Sequence, residues 1–324
     1  LAELSEHLLP QLRERLAPLG VEQLHPLAGG ASSLTYAGTL SGRPVVVKVA
    51  PPGVEPVLHR DVLRQSRMIR VLGATPVPVP DVLIEDAGDP PEVPPLFVMS
   101  RLTGTSFEPL FDTEGDDAIP IVSERFRDAA ATMAQLHRLA PTSIGLGSEP
   151  VLGAGAEIDR WSRTLETVDS ALVPGWRSVV DALRTCVPPA LPPAILHGDF
   201  RLGNLLAEGA RVTGVIDWEI WSIGDPRVDA GWFLINSDPK TYRRDTPYVG
   251  KTPSVAELVA IYSDALGREL LDLSWFQALA CFKSAATWSL IVKHNRRRPS
   301  PKPDVEAMTP VLPELLLRAR RLLG

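Results

Sequence analysis

Leu4, Leu8, Leu12, Leu16 and Leu19 recur at helical spacing with charged residues between them, which predicts an amphipathic helix at the start of the chain, packed on the first lobe. From Val21 to Ala50 the pattern shifts to short apolar runs broken at Gly29 and Gly30, Gly38, Ser41 and Gly42, the signature of an antiparallel meander. Val57 to Leu72 reads as a helix ended by Gly73, because Pro76, Pro78 and Pro80 cannot continue it. Val82 to Glu85 and Leu96 to Leu102 read as two further strands around a proline-rich turn. Beyond Thr103 the periodicity is helical, with helices predicted at Val122 to Leu139, Glu157 to Thr185, Val255 to Leu266, Leu271 to Asn295 and Val305 to Leu323. One block inside that half, Ala194 to Asp217, is not helical: Ile195-Leu196 and Val212 to Ile216 are β-like runs flanking polar turns.

These elements give an α+β chain of two lobes: 1–102, a small antiparallel sheet plus helix, and 103–324, larger and mainly α-helical. A length of 324 residues suits two packed bodies, each able to bury a core without disulfides. A hydrophobic content of 44% and a charged content of 22% are ordinary globular values and argue against extensive disorder. The net charge of −6 argues against a nucleic-acid binder, which needs a broad basic surface. Cys186 and Cys281 are too few and too isolated for a disulfide framework or a zinc site, and point to a reducing, cytoplasmic setting. No apolar run has the length of a membrane span, and Leu1 to Gly20 is charged rather than signal-like. The chain does not start with Met, so its natural start can lie upstream.

The non-helical block carries the chemistry. His197-Gly198-Asp199-Phe200-Arg201-Leu202-Gly203-Asn204 is followed by Val215-Ile216-Asp217-Trp218-Glu219, so Asp199, Asn204 and Asp217 are presented from loops after apolar strands. Phosphoryl transfer asks a protein for an acceptor of the hydroxyl proton, oxygen ligands for magnesium and cations around the phosphates. Carboxylates and an amide in this order match the first two needs. Arg201, two residues past Asp199, is a candidate catalytic cation for the γ-phosphate, with a salt bridge to a neighbouring acid as the other use.

His197, Asp199 and Asn204 keep the His-x-Asp spacing of kinases, with Asn five positions after the Asp. With Asp217 and Gly224-Asp225-Pro226-Arg227-Val228-Asp229, the chain resembles the aminoglycoside phosphotransferase and choline kinase-like family, distant relatives of protein kinases, over nearly its whole length. The resemblance implies a two-lobed protein-kinase-like fold with ATP in the cleft, or GTP as the other nucleotide. It implies Mg2+ held by Asn204 and Asp217, and a small-molecule alcohol as acceptor. Asp199 would be the catalytic carboxylate and Lys48, at the end of Pro44 to Val47, the nucleotide lysine. Leu27 to Ser33 would cover the phosphates through Gly29, Gly30, Ser32 and Ser33, and backbone around Met99, Ser100 and Arg101 would meet adenine. Where the family carries a Glu to pair with the lysine this chain has Gln65, with Asp61 one turn earlier as the other partner.

Several residues have two readings. His197 suits a loop-bracing role, as do Asp225 and Asp229. Trp218, Trp221 and Trp232 suit core packing or a substrate pocket, and Glu219 a further metal or substrate contact. The run from Lys293 to Arg298 suits a helix C-terminus in water or a dock for an anionic group such as a CoA phosphate. The Asp217-Trp218-Glu219 variant looks most like the kinase-like domains fused to acyl-CoA dehydrogenases, which favours a hydroxyacyl or related metabolite. An aminoglycoside kinase and a non-catalytic pseudokinase are the alternatives.

Overall fold

A computed structural model describes residues 2–27, 33–112, 117–242 and 245–324. The chain divides into two compact units. The first comprises Leu1–Thr105, Leu206–Glu208 and Val212–Trp221, and the second Ser106–Leu205, Gly209–Arg211 and Ser222–Gly324.

In the first unit α1 (Ala2–Leu16) leads into β1 (Val21–Pro26), β2 (Leu34–Leu40) and β3 (Arg43–Val49). These are followed by α2 (Val62–Leu72), β4 (Val82–Asp86) and β5 (Leu96–Ser100). The strands form one antiparallel sheet in the order β1-β2-β3-β5-β4. Leu8, Leu12 and Leu16 of α1 pack with Val45, Val47 and Val49 of β3 and Leu96 and Val98 of β5, the face set by strand alternation. Lys48 is out of phase with those valines, so its side chain leaves from the other face of β3. The predicted helix over Val57 to Leu72 starts later than its apolar pattern suggests. Asp61 accepts from the N–H groups of Leu63 and Arg64 and so caps α2, leaving Leu58–Arg60 as a separate short turn.

The second unit holds α3 (Ile119–His137), β6 (Val151–Leu152), α4 (Ala154–Leu165), α5 (Trp176–Thr185) and β7 (Ala194–Leu196). Next comes a hairpin of β8 (Leu205–Glu208) and β9 (Arg211–Val215), most of which is counted with the first unit. Then follow β10 (Ser222–Gly224), α6 (Arg227–Ser237), α7 (Val255–Leu266), α8 (Leu273–Asn295), α9 (Pro303–Glu306) and α10 (Val311–Leu323). β10 runs parallel to β6 and antiparallel to β7. α8 is apolar on all sides and forms the centre of the core, where Trp275, Leu279, Phe282 and Ala286 meet residues of α4, α5, α6 and α10.

Two predicted helices are each divided. Glu157 to Thr185 is interrupted over residues 166–175, which hold a short turn at Ser170–Leu172 and end on Gly175 at φ +75°, giving α4 and α5. Val305 to Leu323 breaks before Val311, with Pro310 at the N-terminal cap of α10.

Candidate active site

In the second unit the loop after β7 is built around Asp229, on the first turn of α6. Its buried carboxylate accepts from the backbone N–H of His197 at 2.6 Å and of Gly198 at 2.9 Å, and lies 3.3 Å from His137 Nε2. Burial opposes ionisation of Asp229, and the bond and charge of His137 together with His197 overcome it, so its carboxyl titrates below the usual range. Gly198, at φ +84°, turns the chain so that the Asp199 N–H reaches His197 Nδ1 at 3.1 Å. His197 is fully buried, so it braces the loop from within.

The Asp199 carboxylate is fixed at both oxygens. Oδ1 accepts from the indole N–H of Trp232 at 2.7 Å and from Arg201 Nε at 3.2 Å, while Oδ2 accepts from Asn204 Nδ2 at 2.8 Å. Asn204 Nδ2 also donates to the Asp199 carbonyl, so both its hydrogens are used and Oδ1 remains as an oxygen donor. Arg201 approaches Glu108 at 3.5 Å, and Glu108 Oε2 also accepts from the Gly203 N–H at 3.0 Å. Burial pushes the Glu108 carboxyl up to about 7 against the pull of Arg201. Burial works against the charge of Arg201, and Asp199 and Glu108 outweigh it, raising its pKa.

In the first unit Lys48 Nζ lies 2.7 Å from Asp217 Oδ1 and 3.3 Å from Gln65 Oε1. Asp61 does not share this lysine, because its carboxylate is spent on the cap of α2. Gln65 is buried and its Nε2 has no hydrogen-bond partner among the described residues. Asp217 is a non-glycine residue in the left-handed region, φ +67° and ψ 57°, a conformation retained only where its surroundings impose it. Two reciprocal bonds fix the segment after it: Trp221 Nε1 donates to the Arg64 carbonyl at 3.1 Å, and Arg64 Nη2 donates to that of Trp221 at 2.9 Å. Trp218 is wholly buried and donates to Val215. Trp218 and Trp221 therefore pack and brace, whereas Trp232 touches Asp199.

Other sequence candidates fall elsewhere. Gly29, Gly30 and Ser32 lie outside the described residues, and Ser33 is buried at the start of β2. At Met99 to Arg101, Met99 is buried in β5 between Val46 and Val82. The N–H groups of Ser100 and Arg101 are already donated to Asp81 and Pro44, so those two donors are not available to an adenine ring. Arg296 in the basic run is paired at the surface with Glu306. Asp225 binds Arg227 and the Leu191 N–H, a loop-bracing role.

Three side chains around Asp199 were not legible as such in the sequence: Trp232 as a donor, Glu108 and Lys283. Lys283 Nζ donates to the Gly198 carbonyl and sits 3.9 Å from the centroid of the Trp232 ring. A signal for it was present, since Lys283 is the only charged residue between Leu273 and Ser289 of a helix otherwise apolar all round.

The donors fit magnesium by type. Asn204 in one unit and Asp217 in the other each offer a hard oxygen, and no group of three or more His, Cys, Asp or Glu suited to a metal occurs among the described residues. Magnesium does not need such a group, because it retains waters and is bound by one or two carboxylates plus substrate phosphates.

A family model described as the phosphotransferase enzyme family, APH, matches residues 23–273. The chain belongs to this family. The family is described as one of phosphotransferase enzymes. Human acyl-CoA dehydrogenase family member 11 is 27% identical over 307 residues, which cover 88% of this chain and 37% of that protein. The chain thus spans about a third of the length of this type of relative. Hygromycin-B 4-O-kinase of Escherichia coli is 24% identical over 332 residues, 87% of this chain and 93% of that protein. Among solved structures, a candidate aminoglycoside phosphotransferase of Ralstonia eutropha superposes with a TM-score of 0.77 at 20% identity, covering 97% of this chain and 98% of that one. The two-lobed protein-kinase-like fold expected from the sequence is therefore the fold of this protein.

Proposed function

We propose that the chain transfers the γ-phosphoryl group of ATP, with magnesium, to a hydroxyl of a hydroxyacyl compound or a related anionic metabolite. The observation that carries this reading is the Asp199 carboxylate, held at both oxygens by Trp232, Arg201 and Asn204. An acid used only as a turn cap would not need an indole and a guanidinium aimed at its side chain. In the reaction the acceptor oxygen forms a bond to the γ-phosphorus, the bond from that phosphorus to the bridging oxygen breaks, and ADP leaves with the electron pair. Asp199 receives the hydroxyl proton in this reading, on the lone pair that Oδ2 keeps beside the Asn204 contact.

Lys48 is the cation for the nucleotide phosphates, now paired with Asp217 and steadied by the neutral Gln65. Arg201 supplies charge beside Asp199. Asn204 and Asp217 are the magnesium ligands in this reading, and the metal when bound supplies charge neutralisation on phosphate oxygens. The match to acyl-CoA dehydrogenase family members supports the hydroxyacyl class. The near full-length match to hygromycin-B 4-O-kinase supports a second reading, an antibiotic kinase.

Consumption of ATP and of GTP, with magnesium, is to be measured across aminoglycosides, amino alcohols, hydroxy acids and hydroxyacyl-CoAs. Turnover is expected with the hydroxyacyl compounds and is expected to fall about a hundred-fold or more in Asp199→Asn. Turnover with aminoglycosides alone would favour the second reading. Wild-type turnover in the mutant would overturn the role of Asp199.

A further inference from the structure

Lys283 is a buried ammonium in the helix at the centre of the core, a costly placement unless its charge is used. Its Nζ donates to the carbonyl of Gly198, the oxygen of the peptide unit whose N–H is that of Asp199. That N–H is taken by His197 Nδ1 and the preceding one, of Gly198, by Asp229. The peptide plane before Asp199 is thereby held at its oxygen by α8 and at its nitrogen by His197. The same ammonium lies 3.9 Å from the centroid of the Trp232 ring, whose N–H is the 2.7 Å donor to Asp199 Oδ1. One cation thus steadies both the backbone that carries Asp199 and the indole that orients its carboxylate.

We propose that Lys283 is a positioning residue for Asp199, fixing the Gly198–Asp199 peptide unit and the Trp232 indole in the arrangement that presents the carboxylate. The charges around it agree with that role. Asp199, Asp229 and Glu157 draw it toward the cationic form, while burial and Arg160 oppose, and burial leaves its pKa below the ordinary lysine value. Glu157 is itself buried and accepts from the indole of Trp161, whose ring is 5.5 Å from Nζ, so the cation stands between two tryptophans.

The inference rests on Asp199 as the proton acceptor, and its test has a readout that does not. The full chain is labelled at its tryptophans, and the indole N–H resonance of Trp232 is identified by its loss in Trp232→Phe. In Lys283→Met, and in Lys283→Gln, the Trp232 resonance is expected to move upfield as its bond to Asp199 loosens. The indoles of Trp176, Trp218, Trp221, Trp275 and Trp288 stay in place and report an intact fold. Hydrolysis of magnesium ATP, with water as acceptor, is expected to drop about ten- to a hundred-fold in kcat with the KM for ATP unchanged. Lys283→Arg, which keeps the charge and the donors, is expected to retain more of both signals than Met or Gln. If Lys283→Met fails to fold, the comparison of Gln with Arg decides. An unmoved Trp232 resonance, kcat within two-fold of wild type, or a loss confined to the KM for ATP would each overturn the proposal. Failure of the Asp199 reading is separate, because it shows as wild-type turnover in Asp199→Asn while the Trp232 resonance still moves in the Lys283 variants.

Discussion

Gly203 illustrates how closely the atoms around Asp199 are set. A Cβ at this position would lie 2.2 Å from Arg201 Nη1, so the absence of a side chain makes room for the guanidinium between Asp199 and Glu108. The obstructing atom is the end of a flexible side chain, so Gly203→Ala is expected to fold and to displace Arg201. Turnover should fall about ten- to a hundred-fold, the scale of losing a charged hydrogen bond beside the reacting groups. Arg201→Ala should cost the same, and the double mutant no more than either single change, because both remove one interaction. Additive losses, measured as kcat/KM, would show that Gly203 acts through something else. The sequence made part of this site legible. The His-x-Asp spacing put Asp199 and Asn204 on one loop, and their side chains do bond. It could not show Trp232, Lys283 or Glu108 beside them, because the bonds that bring these in span 33, 85 and 93 residues along the chain. Such contacts follow from how helices pack, and a single-chain pattern records only local spacing.

The helix that delivers Asp229 and Trp232 shows the same limit at the level of elements. α6 has no apolar stripe, since nearly every residue from Ala230 to Ser237 is buried, and so no periodicity marked it as a helix. Its seat is fixed by Gly231. A Cβ there would meet the Phe276 carbonyl oxygen of α8 at 2.4 Å, and backbone inside a core helix cannot move aside as a side chain can. Gly231→Ala is therefore expected to destabilise the protein by about 3 kcal/mol or more, despite its better helix propensity. Chemical denaturation should show an earlier midpoint, and a more stable variant would refute close packing of α6 on α8. The elements that were legible include those with one wet face, α1, the meander and α7, whose predicted limits of Val255 to Leu266 are those observed, and also α8, where the length of the apolar run marked a helix with no wet face. Where α4 and α5 were read as one helix, apolar residues such as Val168, Leu172 and Val173 continue the spacing through the intervening turns of residues 166–175.

For the molecule as a whole, the site leaves a trace in how stability depends on pH. Glu108 has a folded value of about 7 against an ordinary 4.5, the result of burial opposing its ionisation. A carboxyl raised in the fold binds its proton more tightly there than in the unfolded chain. Its stabilising effect is complete below about 4.5, declines as pH rises, and is gone above about 7, amounting to about 3 kcal/mol over that interval. Asp229 acts in the opposite direction and at lower pH, because its depressed value means stability is lost only as pH falls through the acid range. Lys283, also depressed, acts in the opposite direction to Glu108, because a base whose value is lowered in the fold gains stability as pH rises toward the ordinary lysine value. Between about 5 and 7 the contribution of the Glu108 carboxyl is a decline in stability. Urea midpoints measured from pH 5 to pH 8 should decline for the wild type. In Glu108→Gln, which keeps an acceptor for the Gly203 N–H and cannot ionise, they should be nearly flat across that range. A flat wild-type profile would mean that Arg201 holds Glu108 ionised throughout, and the charged pair would then be a permanent brace for Asp199 rather than one that forms as pH rises.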